Sequence, residues 1–302
     1  MKKDLISIKD LTLKDIEDIF DLTTRLKKDR DRFSNALSGK TIALIFQKPS
    51  NRTRVSFEVG MYQLGGNAIY ISSQEINLGV RESIKDVAKT LSRYVDAIVL
   101  RTYAHINVLD MAKYSSVPVI NGLSDFSHPC QALADIYTVK EKLGGLKGVV
   151  LAYVGDGNNV CHSLIYCASK VGMKMHIATP KGYEPDHMVL KDIGYKNKYI
   201  VLFHNPSEAV SGADVIYTDV WASMGQEREI NKRKKIFRPF QVNKKLVSLA
   251  KKKVLIMHCL PAHRGEEITD EVIDSSNSIV FDQAENRMHV QKAVMIKLLC
   301  NV

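Results

Sequence analysis

The sequence has no run of 18 or more apolar residues, so no part of it is expected to span a membrane. Behind the two lysines of MKKDLISIKD there is neither an apolar stretch nor a small-residue cleavage site, and a secretory signal is not expected. The five cysteines (Cys130, Cys161, Cys167, Cys259 and Cys300) are odd in number and form no CxxC pair. That argues against a disulfide framework and against a zinc site. A reducing cytoplasm is the expected location, and without secretion the sequon Asn51-Arg52-Thr53 carries no weight. Long repeats, low-complexity tracts and flexible Pro/Ser linkers are missing as well. Charged residues make up 25%, which suggests neither disorder nor a fibrous architecture.

What remains is a chain of 302 residues, 45% hydrophobic, long enough to bury a sizeable core and better suited to two domains than to one. Its net charge of +10 owes much to short basic runs at 232–235 and 251–253, expected to be solvated surface. Strand-length apolar segments alternate with helix-period segments, the pattern of an α/β protein with parallel sheets. Strands are predicted at Thr41 to Phe46, Ala97 to Leu100 and Val117 to Ile120, then at Val149 to Val154 and Met175 to Ala178. Further strands are predicted at Ile200 to Phe203, Val215 to Thr218, Val254 to Met257 and Ser278 to Phe281, with a last helix from about Glu285. Thr12 with Asp15 three residues on resembles a capping box opening a helix. The domain break is expected near Lys140 to Leu146, and a cleft between two lobes is the default ligand site.

The residues able to carry chemistry lie mostly where strands end. Ser50-Asn51-Arg52-Thr53-Arg54 stands between a strand and a helix, where unpaired N–H groups and the positive dipole end favour an anion. Two arginines and two hydroxyls there can build a phosphate cradle; the same pattern also describes an ordinary capped helix with exposed arginines. Arg101 falls at the carboxyl edge of a parallel strand, the ligand-binding edge of open α/β sheets. His128-Pro129-Cys130-Gln131 opens a helix, and its histidine and glutamine, three residues apart, can point into one site. His258-Cys259-Leu260-Pro261 follows the apolar VLIM strand, Asp219 closes another strand, and Trp221-Ala222-Ser223-Met224-Gly225 comes after it. Arg287 sits early in the last helix, where a cation is poorly placed unless an anion lies nearby.

Taken in this order, the motifs resemble those of the aspartate/ornithine carbamoyltransferase family, and the resemblance covers essentially the whole chain. It rests on Ser50 to Arg54, Arg101, His128 to Gln131, Leu260-Pro261 and Arg287. Asp156-Gly157-Asn158-Asn159, Asp219 with Ser223-Met224-Gly225, and the cysteine of His258-Cys259-Leu260-Pro261 resemble the ornithine branch. Two positions depart from the family pattern. Asn51 stands where threonine is usual, and Asn77 stands where the loop commonly carries glutamine.

The resemblance implies two doubly wound α/β domains, each a central parallel sheet flanked by helices, linked by helices with the active site in the interdomain cleft. Residues 1–140 would bind carbamoyl phosphate, with the C-terminal helix of about 285–302 packing back on them, and residues 141–284 would bind ornithine. The implied reaction moves the carbamoyl group of carbamoyl phosphate to the side-chain amine of L-ornithine. It gives citrulline and phosphate, in arginine synthesis or in the reverse direction, with no metal or organic cofactor. Ser50, Asn51, Arg52, Thr53, Arg101 and Arg287 would hold the phosphate. Arg101, His128 and Thr53 would polarise the carbonyl, and Gln131 and the Leu260 carbonyl would accept from the carbamoyl NH₂. Pro129, Cys130 and Cys259 would line the same pocket, and Asn77 would reach it from a neighbouring subunit of a homotrimer. Asn159 and the Met224 backbone would take the α-carboxylate of ornithine, and Asp219 and Ser223 its α-amino group. Cys259, against Asp219, would orient the attacking amine without becoming a covalent nucleophile.

Two rivals stand against this reading. Gly155-Asp156-Gly157 follows a strand as in a dinucleotide-binding enzyme, but the third glycine of that fingerprint is missing. The basic charge alone could suggest a nucleic-acid-binding protein, for which there is no recognition motif, so no nucleic-acid partner is expected.

Overall fold

The computed structural model describes residues 3–222 and 229–300. The chain divides into two compact units, Met1–Ala134 with Glu285–Val302, and Asp135–Ala284.

In the first unit the elements run α1 (Leu13–Lys28), β1 (Thr41–Phe46), α2 (Asn51–Gln63), β2 (Asn67–Ser72), α3 (Ser73–Ile76) and α4 (Ile84–Leu91). Then come β3 (Ala97–Arg101), α5 (His105–Tyr114), β4 (Val119–Leu123) and the start of α6 (Pro129–Leu143). Thr12 does form the expected capping box, taking the Asp15 N–H on its hydroxyl while the Asp15 carboxylate takes the Thr12 N–H. The four strands are all parallel, in the order β2-β1-β3-β4. Ala43, Ile45, Ile98, Leu100 and Val119 from the sheet pack with Val87, Ala88, Val108 and Met111 from α4 and α5. Strands covered in this way read as near-continuous apolar runs, as TIALIF and AIVLR do.

The second unit continues α6 and adds β5 (Val150–Val154), α7 (Asn159–Val171), β6 (Lys174–Ala178), α8 (His187–Asp192), β7 (Ile200–Phe203) and α9 (Pro206–Val210). After these follow β8 (Val215–Thr218), α10 (Ile230–Phe237), α11 (Lys244–Val247), β9 (Leu255–His258), α12 (Asp270–Ile273) and the first residues of α13 (Val280–Leu299). Its five strands are parallel, ordered β7-β6-β5-β8-β9. In both sheets the strand order reverses once, between β1 and β3 and between β5 and β8. Such switch points open a crevice at the carboxyl ends of the strands.

Three expectations need correction. Ser278 to Phe281 is not a strand. Ser278 makes one isolated bridge to Ile256, and α13 has begun by Val280 rather than near Glu285. A short apolar run can be read as either element, and here the tertiary setting chose the helix. The strand predicted at Val117 to Ile120 lies at Val119–Leu123, displaced towards the bulge where its register against β3 shifts between Leu100 and Arg101. The edge strand β2 was not expected: its apolar run, Ala68-Ile69-Tyr70-Ile71, is short and stays partly exposed at the edge of the sheet. Among the described residues no helix is long and apolar enough to cross a membrane.

Candidate active site

In the first unit the candidate side chains are delivered by the segments that follow β1 and β4, by the carboxyl end of β3 and by α13. Ser50 caps α2: its hydroxyl accepts from the Thr53 N–H at 3.3 Å and donates to Thr53 Oγ1 at 3.0 Å. Thr53 is fully buried, and its hydroxyl is a meeting point. Arg287 Nη2, from α13, donates to it at 2.6 Å, and Arg101 Nη1, from the end of β3, reaches it at 3.5 Å. Arg287 Nη1 donates to Gln131 Oε1 at 3.0 Å. A hydroxyl oxygen has two lone pairs, so three donors around Thr53 compete for it. An anion with several oxygens would satisfy the two guanidinium groups better.

His128 is buried beside them, and its pKa lies well below the ordinary imidazole range. Burial is the main cause, and the charges of Arg287 and Arg101 add to it. The ring is therefore neutral at pH 7 and can donate one hydrogen bond without carrying charge. Pro129 and Cys130 are buried in the first turn of α6, and burial pushes the Cys130 thiol up to about 12. Arg52 is half-buried on the first turn of α2, and Asn51 is exposed. Arg54 points elsewhere, pairing with Glu58 at 2.9 Å and covering the Tyr70 ring at 3.9 Å. Asn77 is exposed in a loop with φ +40°.

The second unit assembles a different corner from the ends of β5, β8 and β9. Asp219 follows β8 and is buried. Its Oδ1 accepts from the Cys259 thiol at 3.0 Å and from the Val220 N–H at 2.8 Å; its Oδ2 accepts from Asn158 Nδ2 at 2.8 Å. A carboxylate offers about four lone-pair sites, so Asp219 can still take a further donor such as an ammonium. Asn158 is pinned by capping α7, where its Oδ1 accepts from Val160 and Cys161 N–H at 3.0 and 3.1 Å. Asn159, next along, is buried. The turn that carries them depends on Gly157, since a Cβ there would stand 2.3 Å from the Pro185 nitrogen and 2.4 Å from the Glu184 carbonyl carbon.

Cys259 follows β9. Burial first, then the charge of Asp219, holds its thiol pKa well above the usual range. It is a protonated donor to Asp219 rather than a thiolate, and thus a poor nucleophile. Leu260 comes next, half-buried against the core with φ +57°, a left-handed conformation that costs a branched side chain of order 1–3 kcal/mol. Ser223 and Met224 lie outside the described residues.

Sequence reasoning missed Arg233. Placed in a basic run read as solvated, it is buried, paired with Asp156 at 3.0 Å and donating to the Trp221 carbonyl at 2.8 Å. The available signal was the helical spacing Arg233–Phe237, which puts the arginine on the buried face of α10. Asn158, read only as part of a motif, is the residue that holds Asp219.

Residues 3–141 match the family model "Aspartate/ornithine carbamoyltransferase, carbamoyl-P binding domain", and residues 147–298 match "Aspartate/ornithine carbamoyltransferase, Asp/Orn binding domain". The chain belongs to the aspartate/ornithine carbamoyltransferase family. Within that family it is 57% identical to the ornithine carbamoyltransferase of Pyrococcus horikoshii, over 99% of this chain and 96% of that protein. Among solved structures of the family it resembles the ornithine carbamoyltransferase of Pyrococcus furiosus, with a TM-score of 0.95, 56% identity and coverage of 99% of this chain and 97% of that one. It also resembles the enzyme of Thermus thermophilus, with a TM-score of 0.90, 45% identity and 99% coverage of both chains.

Proposed function

We propose that this carbamoyltransferase moves the carbamoyl group of carbamoyl phosphate to the side-chain amine of L-ornithine, releasing citrulline and phosphate. The observation that carries the reading is the convergence of Arg101 and Arg287 on Thr53, with Arg287 also held by Gln131, beside a neutral His128 at the capped N-terminus of α2. Ser50, Asn51, Arg52, Thr53, Arg101 and Arg287 bind the phosphate. Arg101, His128 and Thr53 donate to the carbamoyl oxygen, while Gln131 and the Leu260 carbonyl accept from the carbamoyl NH₂. Residues 1–140, with the C-terminal helix, form the carbamoyl phosphate domain, and residues 141–284 form the ornithine domain.

The ornithine amine attacks the carbonyl carbon, forming a C–N bond and a tetrahedral species with negative oxygen. The C–O bond to phosphate then breaks, and the amine's proton leaves with the departing phosphate. Fixed donors at both sites of growing charge stabilise this path, each by about 3–4 kcal/mol. The attacking amine must be neutral, although a free alkyl ammonium has a pKa of about 10. Cys259, protonated and held by Asp219, orients it. The remaining acceptor position of Asp219, together with Ser223, takes the α-ammonium, and Asn159 with the Met224 backbone takes the α-carboxylate.

The working form is a cytoplasmic homotrimer in which the exposed loop bearing Asn77 completes a neighbour's site. The exposed apolar side chains of Val55, Ile69 and Val80 in the first unit support burial against another copy. The deciding assay offers carbamoyl phosphate with ornithine, aspartate, putrescine and acetylornithine in parallel and measures phosphate and carbamoylated product. Ornithine should be turned over fastest; equal turnover of any competitor rejects the assignment. Light scattering should give three times the chain mass.

A further inference from the structure

His258 and Glu267 stand outside the residues assigned above, yet they contact the turn that carries Cys259 and Leu260. Both side chains are wholly buried, with His258 Nε2 3.0 Å from Glu267 Oε1. The other ring nitrogen, Nδ1, receives the Leu260 N–H at 2.8 Å. A backbone N–H can only donate, so Nδ1 carries no proton, and the neutral ring has its proton on Nε2, facing Glu267. Glu267 Oε1 also accepts the His263 N–H at 2.6 Å, beyond the turn. Its own backbone is fixed to the buried Val242: the Val242 N–H donates to the Glu267 carbonyl at 2.8 Å, and the Thr269 N–H donates to the Val242 carbonyl at 3.1 Å. From the opposite side, the His258 N–H donates to Gln283 Oε1 at 3.0 Å, and Gln283 Nε2 donates to Asp135 Oδ1 at 2.7 Å. The imidazole is thus clamped before it touches Leu260.

Leu260 needs such a clamp, because its φ of +57° is one that leucine rarely adopts. We propose that His258 and Glu267 are positioning residues: Glu267 locks the imidazole in its Nε2–H form, and Nδ1 then holds the Leu260 N–H so that the Leu260 carbonyl and the Cys259 thiol face the reacting groups. This rests on the carbamoyl transfer proposed above. Asp219, His258 and Cys259 each offer one possible metal-ligand atom, all within 4.8 Å of one another. Both ring nitrogens of His258 are already engaged, which favours positioning over ligation.

Paired amides separate the two contacts of the ring. In His258→Asn the amide oxygen lies close to where Nδ1 was and still accepts from Leu260, whereas the link to Glu267 is lost. His258→Gln reaches Glu267 and leaves the Leu260 N–H without its acceptor. We expect kcat to fall at least 30-fold in H258Q and at least tenfold less severely in H258N. Glu267→Gln keeps an acceptor for both donors and should stay within fivefold of the parent, with Glu267→Ala falling at least tenfold. The dissociation constant of inorganic phosphate, measured by calorimetry, should move less than twofold in all four. Equal losses in H258N and H258Q, or losses that follow melting temperature instead of the acceptor, would overturn the proposal. Histidine ¹⁵N NMR gives a readout independent of turnover: His258 should show a protonated Nε2 and a bare Nδ1, and the other tautomer or an imidazolium overturns it. If the parent chain fails to carbamoylate ornithine, the functional reading falls, and the NMR result still decides the locked turn.

Discussion

The two units build their sites by opposite means. In the first, long side chains from β3 and α13 travel to one small hydroxyl, that of Thr53, and Gln131 of α6 meets the second of these two buried cations. In the second, short side chains sit on strand ends and a helix cap, and a single carboxylate is met by a thiol, an amide and a backbone N–H. One arrangement concentrates positive charge, which suits a dianion. The other leaves a carboxylate nearly saturated, with room for about one more donor. Affinity is the natural product of the first and selectivity of the second.

The comparison can be broken at its strongest point. Arg287 uses two different nitrogens for two different acceptors, so Arg287→Ala should lower kcat/KM about a thousandfold, the scale of about 4 kcal/mol lost in the transition state. Arg287→Lys should recover little, because an ammonium cannot span Thr53 and Gln131 together; steady-state kinetics with carbamoyl phosphate varied decide both. In the second unit, Asp219→Asn should cost roughly a hundredfold in kcat/KM for ornithine, as expected for a charge-assisted bond of up to about 3 kcal/mol. Phosphate binding should be unchanged in that variant. If Asp219→Asn weakens phosphate as much as ornithine, the division of labour is wrong.

Acid sharpens the contrast. His128, and His289 with a pKa lowered to about 4, resist protonation when folded, burial being the leading cause for both. Below about pH 6.5 the unfolded chain takes protons that the folded first unit refuses. The stability tied to these histidines is therefore complete above that pH and is lost as pH falls towards 4. Asp156, in the second unit, is pushed up to about 6 because burial outweighs the neighbouring Arg233. The stability tied to this group is present below about pH 4 and is lost as pH rises through 6, the opposite sign. Hydrogen exchange across pH 4 to 6.5, resolved by unit, should show these slopes opposed once the common background is subtracted with His289→Asn and Asp156→Asn. The smallest effect belongs to Arg54. Its removal should cost under about 1 kcal/mol in chemical denaturation, as for a surface ion pair, and should leave phosphate affinity intact.

Much of this was legible in the sequence because the informative residues stand at strand ends, where an apolar run gives way to polar residues and fixes position to within a few residues. TIALIF leads into the Ser50 cap and VIYT into Asp219, and the structure keeps both in place. Convergence was less legible. Nothing in the spacing of Thr53 and Arg287 says that they share a hydrogen bond, since that contact depends on where the last helix packs. The start of that helix was misjudged for a related reason: Ser278 pairs once with Ile256 and then turns, which a run of apolar residues does not reveal. Glu267 gave no signal at all, being one acid among many until burial set it beside His258. Arg233 looked like solvent-facing charge until Asp156 claimed it.

The sulfur chemistry has a consequence for durability. Burial raises the pKa of Cys130, Cys161, Cys167 and Cys300 as it does that of Cys259. Peroxides and alkylating agents attack the thiolate form, which all five sites disfavour. The raised pKa values therefore slow attack at each of these unpaired sulfurs, Cys259 beside Asp219 included.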